Sequence, residues 1–386
     1  MARHSSNYTP RGGGRSLLLA VLTALLVAGL VVSWLQARDR VGRQADQAAG
    51  TCVEGPATVA IIASPDIAEA LGDIAKRFND TKPVVRDHCI TVQVRPGDSK
   101  VTLDGLTGNW EAASMGAFPA AWIPQSSVWG AQLTAANPDI VEDSPESLVK
   151  SPIVLALPTL FADKAGDLDW GRLPGLARLP NAMAQFGLPD WGPLRMAMPL
   201  GASSDATVLA AQAIAAQVSK ASGPLTEAQA NSGPVVDGIR TVLREAPPAP
   251  EGTAAATIAA MNTDDQRRAI HAVPITEQQL FLLGRTGAAG EKIRAFSPAG
   301  PTPVADYPVL RLSGNAVSTA QSYGAAQFIE FAQQPEQVKL LTELGYRSGD
   351  AQLPPGNTTV TFGPVEDAMP LPEPAASAAI TKQVYR

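Results

Sequence analysis

The stretch TVAIIASPDIAEALGDIAKRFN, residues 58–79, decides the fold of this chain. Its first part, Val59–Ala63, is an unbroken apolar run rich in β-branched residues, as expected of a parallel strand covered on both faces. Ser64 then precedes a proline and an aspartate, which predicts the start of a helix. Apolar residues recur at helical spacing from Ile67 to Phe78, so one face of this helix packs on the sheet. The stretch is therefore the first half of a βαβ unit.

The turn at Ser64 lies at the carboxyl end of the predicted strand, where open α/β sheets bind their ligands. The free N–H groups of the following helix point into the same crevice. Two interpretations stay open at this stage. Ser64 contacts a ligand, or it only caps its helix and contributes about 1 kcal/mol.

The N-terminal region contains an uncharged apolar run, Leu17–Leu35. At a rise of about 1.5 Å per residue it extends roughly 28 Å, close to the hydrocarbon thickness of a bilayer. A cleaved signal peptide is the alternative, but its apolar region is shorter and ends in an A-x-A-like site, which residues 35–37 do not match. We therefore expect an uncleaved transmembrane anchor, preceded by a cytoplasmic tail (residues 1–16) and followed by a stalk (residues 36–51).

Two cysteines, Cys52 and Cys89, follow the predicted anchor. Each comes just before an apparent strand, and neighbouring parallel strands would bring their starting points together. A disulfide between them is favoured over two unpaired core thiols, and it indicates an oxidising compartment outside the cytoplasm. Because arginines flank the anchor on both sides, charge does not decide its orientation. The expected location is the cell membrane, with a single pass and an extracytoplasmic globular domain.

The length and charge of the chain limit its class. A chain of 386 residues suits a short tail, a membrane element and two lobes of ordinary size. The net charge is −6, and no run of lysines or arginines with interleaved aromatics occurs. A nucleic-acid partner is therefore not expected.

A second strand, turn and helix follow the same pattern as the first. The apolar run Ala117–Ile123 leads into Ser126 and Ser127, which can cap a short helix. Trp122 and Trp129 flank this turn. The indole rings are expected either to stack on an apolar or sugar-like ligand or to pack in the core.

A third arrangement of this kind comes later in the chain. Met196–Leu200 is predicted as a short strand, and Ser203 and Ser204 follow it. An alanine-rich helix containing Thr207 comes next. In a two-lobed fold the three hydroxyl-bearing turns would converge on one cleft.

The residue composition changes after a predicted strand that is bracketed by prolines, residues 151–158. We take this change as the crossing into a second lobe. The expected first lobe comprises residues 52–156 and 306–349, and the second comprises residues 157–305. The last part, residues 350–386, is rich in proline and alanine without helical or strand period and is interpreted as a tail.

Three segments together resemble the type 2 periplasmic, or extracellular, solute-binding proteins, in particular the molybdate-type ones. They are the opening unit at residues 59–79, the return strand Asp306–Leu312, and the closing helices at residues 326–347. The resemblance implies an α/β fold of two lobes with a ligand between them, after a single N-terminal transmembrane helix.

A closer likeness is to actinobacterial membrane-anchored substrate-binding domains that often precede a von Willebrand factor A domain. Residues 116–133, 151–158 and 272–278 carry it. No Asp-x-Ser-x-Ser metal-site motif occurs in this chain, so a metal-dependent adhesion role is not supported. Neither a metal nor a cofactor is expected.

By resemblance, the ligand would lie between the lobes and contact hydroxyl, aromatic and acidic side chains. The candidates are Ser64, Ser126, Ser127, Trp129, Ser203, Ser204, Thr207, Glu277 and Tyr307. Asp66 and Asp205 each lie beside one of these turns, and a carboxylate there repels an anion. The expected ligand is therefore a small solute other than an oxyanion. It would serve uptake or sensing, with an ABC-type permease or an envelope protein as partner.

The sequence leaves two other classes of function as alternatives. A hydrolase requires a nucleophile with a base, and no G-x-S-x-G, H-E-x-x-H or C-x-x-C motif is present, so we expect no enzyme. His88 and His271 are interpreted as surface or hydrogen-bonded histidines. An envelope scaffold with a degenerate cleft is the second alternative, and the turns at Trp170 and Trp191 fit it.

Overall fold

The computed structural model describes residues 33, 34, 36, 38, 52–142, 144–201, 205–261 and 269–386. The predicted anchor at residues 17–35 lies outside this set apart from Ser33 and Trp34. Among the described residues, no helix is both long and apolar enough to cross a membrane.

The strands in chain order are β1 Gly55–Ala63, β2 Val84–Val85, β3 His88–Pro96, β4 Ala121–Ile123, β5 Glu146–Ser147, β6 Ser151–Pro158, β7 Val273–Thr276, β8 Ile293–Phe296, β9 Val304–Ala305 and β10 Pro308–Arg311. The α-helices are α1 Pro65–Asp80, α2 Ser99–Thr107, α3 Ala112–Met115, α4 Ser127–Ala136, α5 Thr159–Ala162, α6 Leu173–Arg178, α7 Asp205–Val218, α8 Glu227–Ala230, α9 Gly233–Glu245, α10 Ala254–Met261, α11 Glu277–Arg285, α12 Thr319–Ala332, α13 Pro335–Glu343 and α14 Pro374–Val384.

The strands form two sheets. A six-stranded sheet has the order β2-β3-β1-β4-β10-β5, with β1 parallel to β3 and β4 and with β10 antiparallel to β4. A second sheet is built around β6, which pairs antiparallel with β7, β8 and β9. We call the first sheet with α1–α4, α12 and α13 the first lobe, and the second sheet with α5–α11 the second lobe. The chain crosses between the lobes after β5 and again between β9 and β10.

The opening unit folds as its sequence predicts. The run Val59–Ala63 is fully buried in β1, next to the centre of the six-stranded sheet. Pro65 occupies the first turn of α1, where its missing N–H costs nothing. The apolar stripe of α1 is buried along its whole length, at Ile67, Ala68, Leu71, Ile74, Ala75 and Phe78. Local sequence and tertiary packing therefore agree in this unit.

The predicted disulfide between Cys52 and Cys89 is confirmed. The two residues are 37 positions apart in sequence, and their Cα atoms lie 5.1 Å apart. Because β1 and β3 are parallel neighbours, Pro56 pairs with Cys89 and the chain just before β1 reaches the start of β3. The bond ties the N-terminal end of the fold to the sheet.

Two expectations about the strands are wrong. Residues 151–158 form β6, the centre of the second sheet, whereas residues up to 156 were expected in the first lobe. An apolar run buried on both faces suits either sheet, so its composition does not assign it. Met196–Leu200 is not a strand, since only Met196 forms an isolated bridge, with Ala272.

The C-terminal region is not an irregular tail. It contains α14, which contacts α4 of the first lobe and α7, α8 and α9 of the second. Its buried face consists of Ala376, Ser377, Ile380, Thr381 and Val384. Three of these five side chains are small or polar, so the stripe lacks the bulky apolar signal by which amphipathic helices are predicted.

Candidate functional site

Asp66, in the first turn of α1, accepts hydrogen bonds from three side chains. The Ser64 hydroxyl donates to Oδ1 at 2.5 Å, and the Gln125 amide donates to Oδ2 at 2.8 Å. The Tyr307 hydroxyl also donates to Oδ2. Burial raises the pKa of Tyr307 well above its ordinary value, so the phenol remains a donor at neutral pH. Two of the predicted site residues thus meet at one carboxylate.

A second carboxylate, that of Asp306 in the segment between β9 and β10, lies against the N-terminus of α4. The backbone N–H of Ser127 donates to Asp306 Oδ1 at 2.7 Å, and the Ser127 hydroxyl donates to Oδ2 at 2.5 Å. Ser126 is buried and caps α4 by accepting the N–H of Val128 at 3.3 Å. The side chain of Asp306 therefore occupies the helix N-terminus where an external anion would bind.

A third carboxylate, Asp205, lies in the first turn of α7 and is buried. Its Oδ2 accepts the indole N–H of Trp129 from the first lobe at 2.8 Å. Burial raises the pKa of Asp205 to about 7, and the neighbouring carboxylates Asp98 and Asp66 add to the shift. Thr207, two residues further on, is buried and donates to the carbonyl of Pro199 at 2.7 Å.

Glu277 of the second lobe forms a two-point ion pair with Arg347. The guanidinium Nε donates to Oε2 at 2.9 Å, and one terminal nitrogen donates to Oε2 at 2.7 Å and to Oε1 at 3.0 Å. Burial raises the pKa of Glu277, and the charge of Arg347 opposes the shift. This pair joins the beginning of α11 to the segment after α13.

Of the remaining predicted residues, two serines lie outside the described residues and most of the tryptophans are fully buried. Ser203 and Ser204 lie outside the described residues. Trp122 and Trp129 are both fully buried in the core. Trp170, which had fitted a scaffold surface, is fully buried as well, and the Trp191 ring stacks on His271 with centroids 4.7 Å apart.

A cavity of about 350 Å³ lies between the lobes, beside Asp66. We call it the interlobe cavity. It is lined by Asp66 of the first lobe and by residues of the second lobe from three segments, namely Thr253, Ala254, Ala255, Ile275, Gln278, Gln279, Leu282 and Leu283. Gln278 is fully buried, and neither atom of its side-chain amide has a hydrogen-bond partner among the described residues.

Sequence reasoning missed three polar residues here: Asp66 as a hydrogen-bond centre, Gln125, and Gln278. The position of Gln278 carried a usable signal, because it is the second of the polar residues that follow the apolar strand β7 and begin helix α11 at a sheet edge. Gln125 carried the same kind of signal, because it lies in the turn after the apolar strand β4. Their pairing with Asp66, or lack of pairing, depends on contacts between distant segments and is not visible in the sequence.

Metal ligands are not grouped in the part of the chain that the structure describes. No cluster of three or more His, Cys, Asp and Glu side chains there could hold an ion.

The order of the sheets, the two crossings and the cavity between the lobes agree with one family. Residues 59–347 match the model of the bacterial extracellular solute-binding proteins. The chain belongs to this family. Membership implies a small-molecule ligand and a globular domain outside the cytoplasm, and it confirms the expected two-lobed α/β fold.

Relatives and solved structures extend this result. Two uncharacterized proteins of Mycobacterium tuberculosis are each 34% identical over 365 residues, which is 94% of this chain and 52% of the relative. This chain therefore spans about half the length of these relatives.

A ferric binding protein from Campylobacter jejuni has a TM-score of 0.55 at 13% identity and covers 85% of this chain and 97% of its own. An ABC transporter structure from Clostridium perfringens has a TM-score of 0.54 at 10% identity, with 85% and 98% covered. At such identities the likeness shows the fold alone, and the molybdate-type subtype is not confirmed.

Proposed function

We propose that this protein is a membrane-anchored, extracytoplasmic solute-binding protein that captures a small ligand between its two lobes for uptake or sensing. The observation that carries the proposal is the interlobe cavity, to which Asp66 contributes from the first lobe and Gln278 from the second. A volume of about 350 Å³ lies in the range of small-molecule sites. An ABC-type permease or an envelope protein is the proposed partner, and Leu17–Leu35 the proposed anchor.

This proposal gives each of the predicted site residues a role. Ser64 and Tyr307 act on the solute through Asp66, because both of them hold its carboxylate in position at the cavity. Ser127 holds the start of α4 in place through Asp306, whereas Trp129 and Glu277 join the two lobes through Asp205 and Arg347. Ser126 and Thr207 support the same turns. Ser203 and Ser204 remain predicted ligand contacts.

Closing of the lobes would be driven by the ligand's preference for the closed state. In this mechanism the ligand is bound and released unchanged. No chemical step on the ligand is proposed.

Thermal-shift measurement on the full-length protein in mild detergent tests this function. A panel of sugars, amino acids, amides and oxyanions is screened. A true ligand at a hundredfold excess over Kd adds about 2.7 kcal/mol to the free energy of unfolding by mass action, and so raises the melting temperature. Ala255→Trp fills the cavity from an exposed position and should abolish the shift. Ala259→Trp, exposed on the same helix but not lining the cavity, is the matched control. If no solute shifts melting, or if Ala255→Trp leaves every shift intact, the proposal fails.

A further inference from the structure

Among the described residues, the carboxylate of Asp66 retains one acceptor position that no donor of the chain uses. Oδ2 accepts two hydrogen bonds, from Gln125 and Tyr307, whereas within that part of the chain Oδ1 accepts one, from Ser64. An ionised carboxyl group offers about four lone-pair positions, two on each oxygen. Oδ1 can therefore accept one more hydrogen bond, from a donor in the cavity that Asp66 lines.

Gln278 supplies an independent second observation. Its side chain is fully buried, and both its amide nitrogen and its amide oxygen lack a partner among the described residues. Its backbone N–H is bonded to Ser151 Oγ at 3.0 Å, so the residue itself is held in place at the start of α11. Buried amides are nearly always paired, so an unpaired amide on a residue that lines a cavity is a candidate contact for a ligand.

The two groups together define a complementary ligand. The Gln278 amide offers N–H donors and one carbonyl acceptor, so a primary carboxamide pairs with it through two antiparallel hydrogen bonds. The second N–H of that carboxamide is then free to donate to an acceptor such as Asp66 Oδ1. A carboxylate ligand has no donor for the Gln278 oxygen and is repelled by Asp66. Most other lining residues are apolar, among them Ile275, Leu282 and Leu283.

We propose that the interlobe cavity binds a small, uncharged solute that carries a primary amide on an apolar body. This proposal rests on the proposed function and specifies the class of its ligand. The cavity volume of about 350 Å³ is near the lower end for small-molecule sites, which restricts the apolar body to a single ring or short branched chain.

Calorimetry with four matched probes tests the ligand class: benzamide, benzoate, benzylamine and acetophenone. Benzamide has both donor and acceptor, benzoate only acceptors and a negative charge, benzylamine only donors, and acetophenone a single acceptor. We expect benzamide to bind at least about tenfold more tightly than each of the other three, because a site built for hydrogen bonds rejects analogues that leave its groups unpaired.

Substitutions assign the binding to the named groups. Gln278→Leu should abolish benzamide binding without lowering the melting temperature of the free protein, since it removes unpaired buried atoms. Gln337→Leu is the matched control, because Gln337 is also buried with an unpartnered amide oxygen but lies outside the cavity. It should leave benzamide binding intact. Asp66→Asn should reduce the preference for benzamide over benzoate.

Each contrary outcome has a definite meaning. Equal or tighter binding of benzoate or benzylamine overturns the amide class, as does benzamide binding that survives Gln278→Leu. Failure of all four probes, while some other solute gives a shift that Ala255→Trp abolishes, also overturns the amide class but leaves the proposed function standing. Failure of the whole solute panel overturns both.

Discussion

The indole N–H of Trp129 in the first lobe donates to the carboxyl group of Asp205 in the second lobe at 2.8 Å. Both side chains are buried, so the bond lies in a medium of low polarity, where an unpaired partner is costly. It joins the first turn of α4 to the first turn of α7. Together with the pair between Glu277 and Arg347, it holds the lobes in the arrangement that encloses the cavity.

Replacing the Trp129 donor should destabilise the fold. Trp129→Phe keeps an aromatic ring but removes the indole N–H that the Asp205 carboxyl group accepts, at an expected cost of about 1–3 kcal/mol beyond the lost volume. Trp122→Phe is the matched control, since Trp122 is equally buried and its indole N–H has no partner among the described residues. Urea unfolding of both variants measures the difference. Equal losses would show that the hydrogen bond contributes nothing.

Asp205 should make stability depend on pH. Its pKa in the folded chain is about 7, above the ordinary 3.8, so the folded state binds more protons than the unfolded state between these values. The contribution of Asp205 to stability is therefore fully present below about pH 4 and is lost as the pH rises to about 7, with a slope of at most about 1.4 kcal/mol per pH unit. Asp205→Asn should reduce this slope although Asp98, Asp66 and Tyr385 remain nearby, and Glu277, whose pKa is also raised by burial, should account for a slope that remains. Unfolding curves with the same slope for both proteins would contradict the assignment.

The opening unit shows how much of the fold the sequence determines locally. The strand at Val59–Ala63, the helix start at Pro65 and the buried stripe from Ile67 to Phe78 depend on side-chain period and capping, which act within a few residues. These predictions are confirmed. The family resemblance is also confirmed, because it depends on the order of such units along the chain.

The site was predictable only in part, for a physical reason. Sequence indicates that Ser64 begins a helix, but not that its hydroxyl donates to Asp66 or that Tyr307, 241 residues away, does the same. Such pairings depend on which strands become neighbours. The placement of β6 has the same cause, since its apolar composition suits the centre of either sheet. A ligand contact by the predicted serines remains a prediction.

The ion pair of Glu277 and Arg347 should show strong coupling between its partners. Glu277 is 7% exposed and Arg347 20% exposed at the side chain, so Arg347→Met leaves a buried charge unpaired at a cost of about 3–5 kcal/mol. Adding Glu277→Gln should recover much of this loss. The exposed pair of Lys76 and Asp73 is the comparison, where the same double-mutant cycle should give a coupling energy close to zero because solvent screens both charges. Additive losses at Glu277 and Arg347 would exclude the coupling.

The disulfide predicts a specific labelling pattern. Cys52 and Cys89 should react with an alkylating reagent only after reduction, because the two sulfurs are bonded. Cys52→Ser with Cys89→Ser should lower the free energy of unfolding by about 4 kcal/mol on the chain-entropy model for this loop. Labelling of both thiols in the native, unreduced protein would remove this argument for an oxidising compartment.

Helix α14 contacts both lobes and should therefore contribute to their relative position as well as to stability. The Ser377 hydroxyl accepts one hydrogen bond from Gln212 of α7 at 2.9 Å and one from Gln132 of α4 at 3.4 Å. Ile380 is fully buried in the same face. Removing this helix would expose apolar surface on helices of both lobes at once.

Ile380→Ala should thus cost about 2–5 kcal/mol, the usual range for truncating a fully buried aliphatic side chain. Leu371→Ala, at a position 48% exposed in the segment that leads to α14, is the matched control and should change stability by no more than about 0.5 kcal/mol. Urea unfolding measures both. A variant that ends at residue 373 should also show a larger radius of gyration by small-angle scattering, because the lobes lose a shared contact. An unchanged radius together with normal stability would show that α14 packs without joining the lobes.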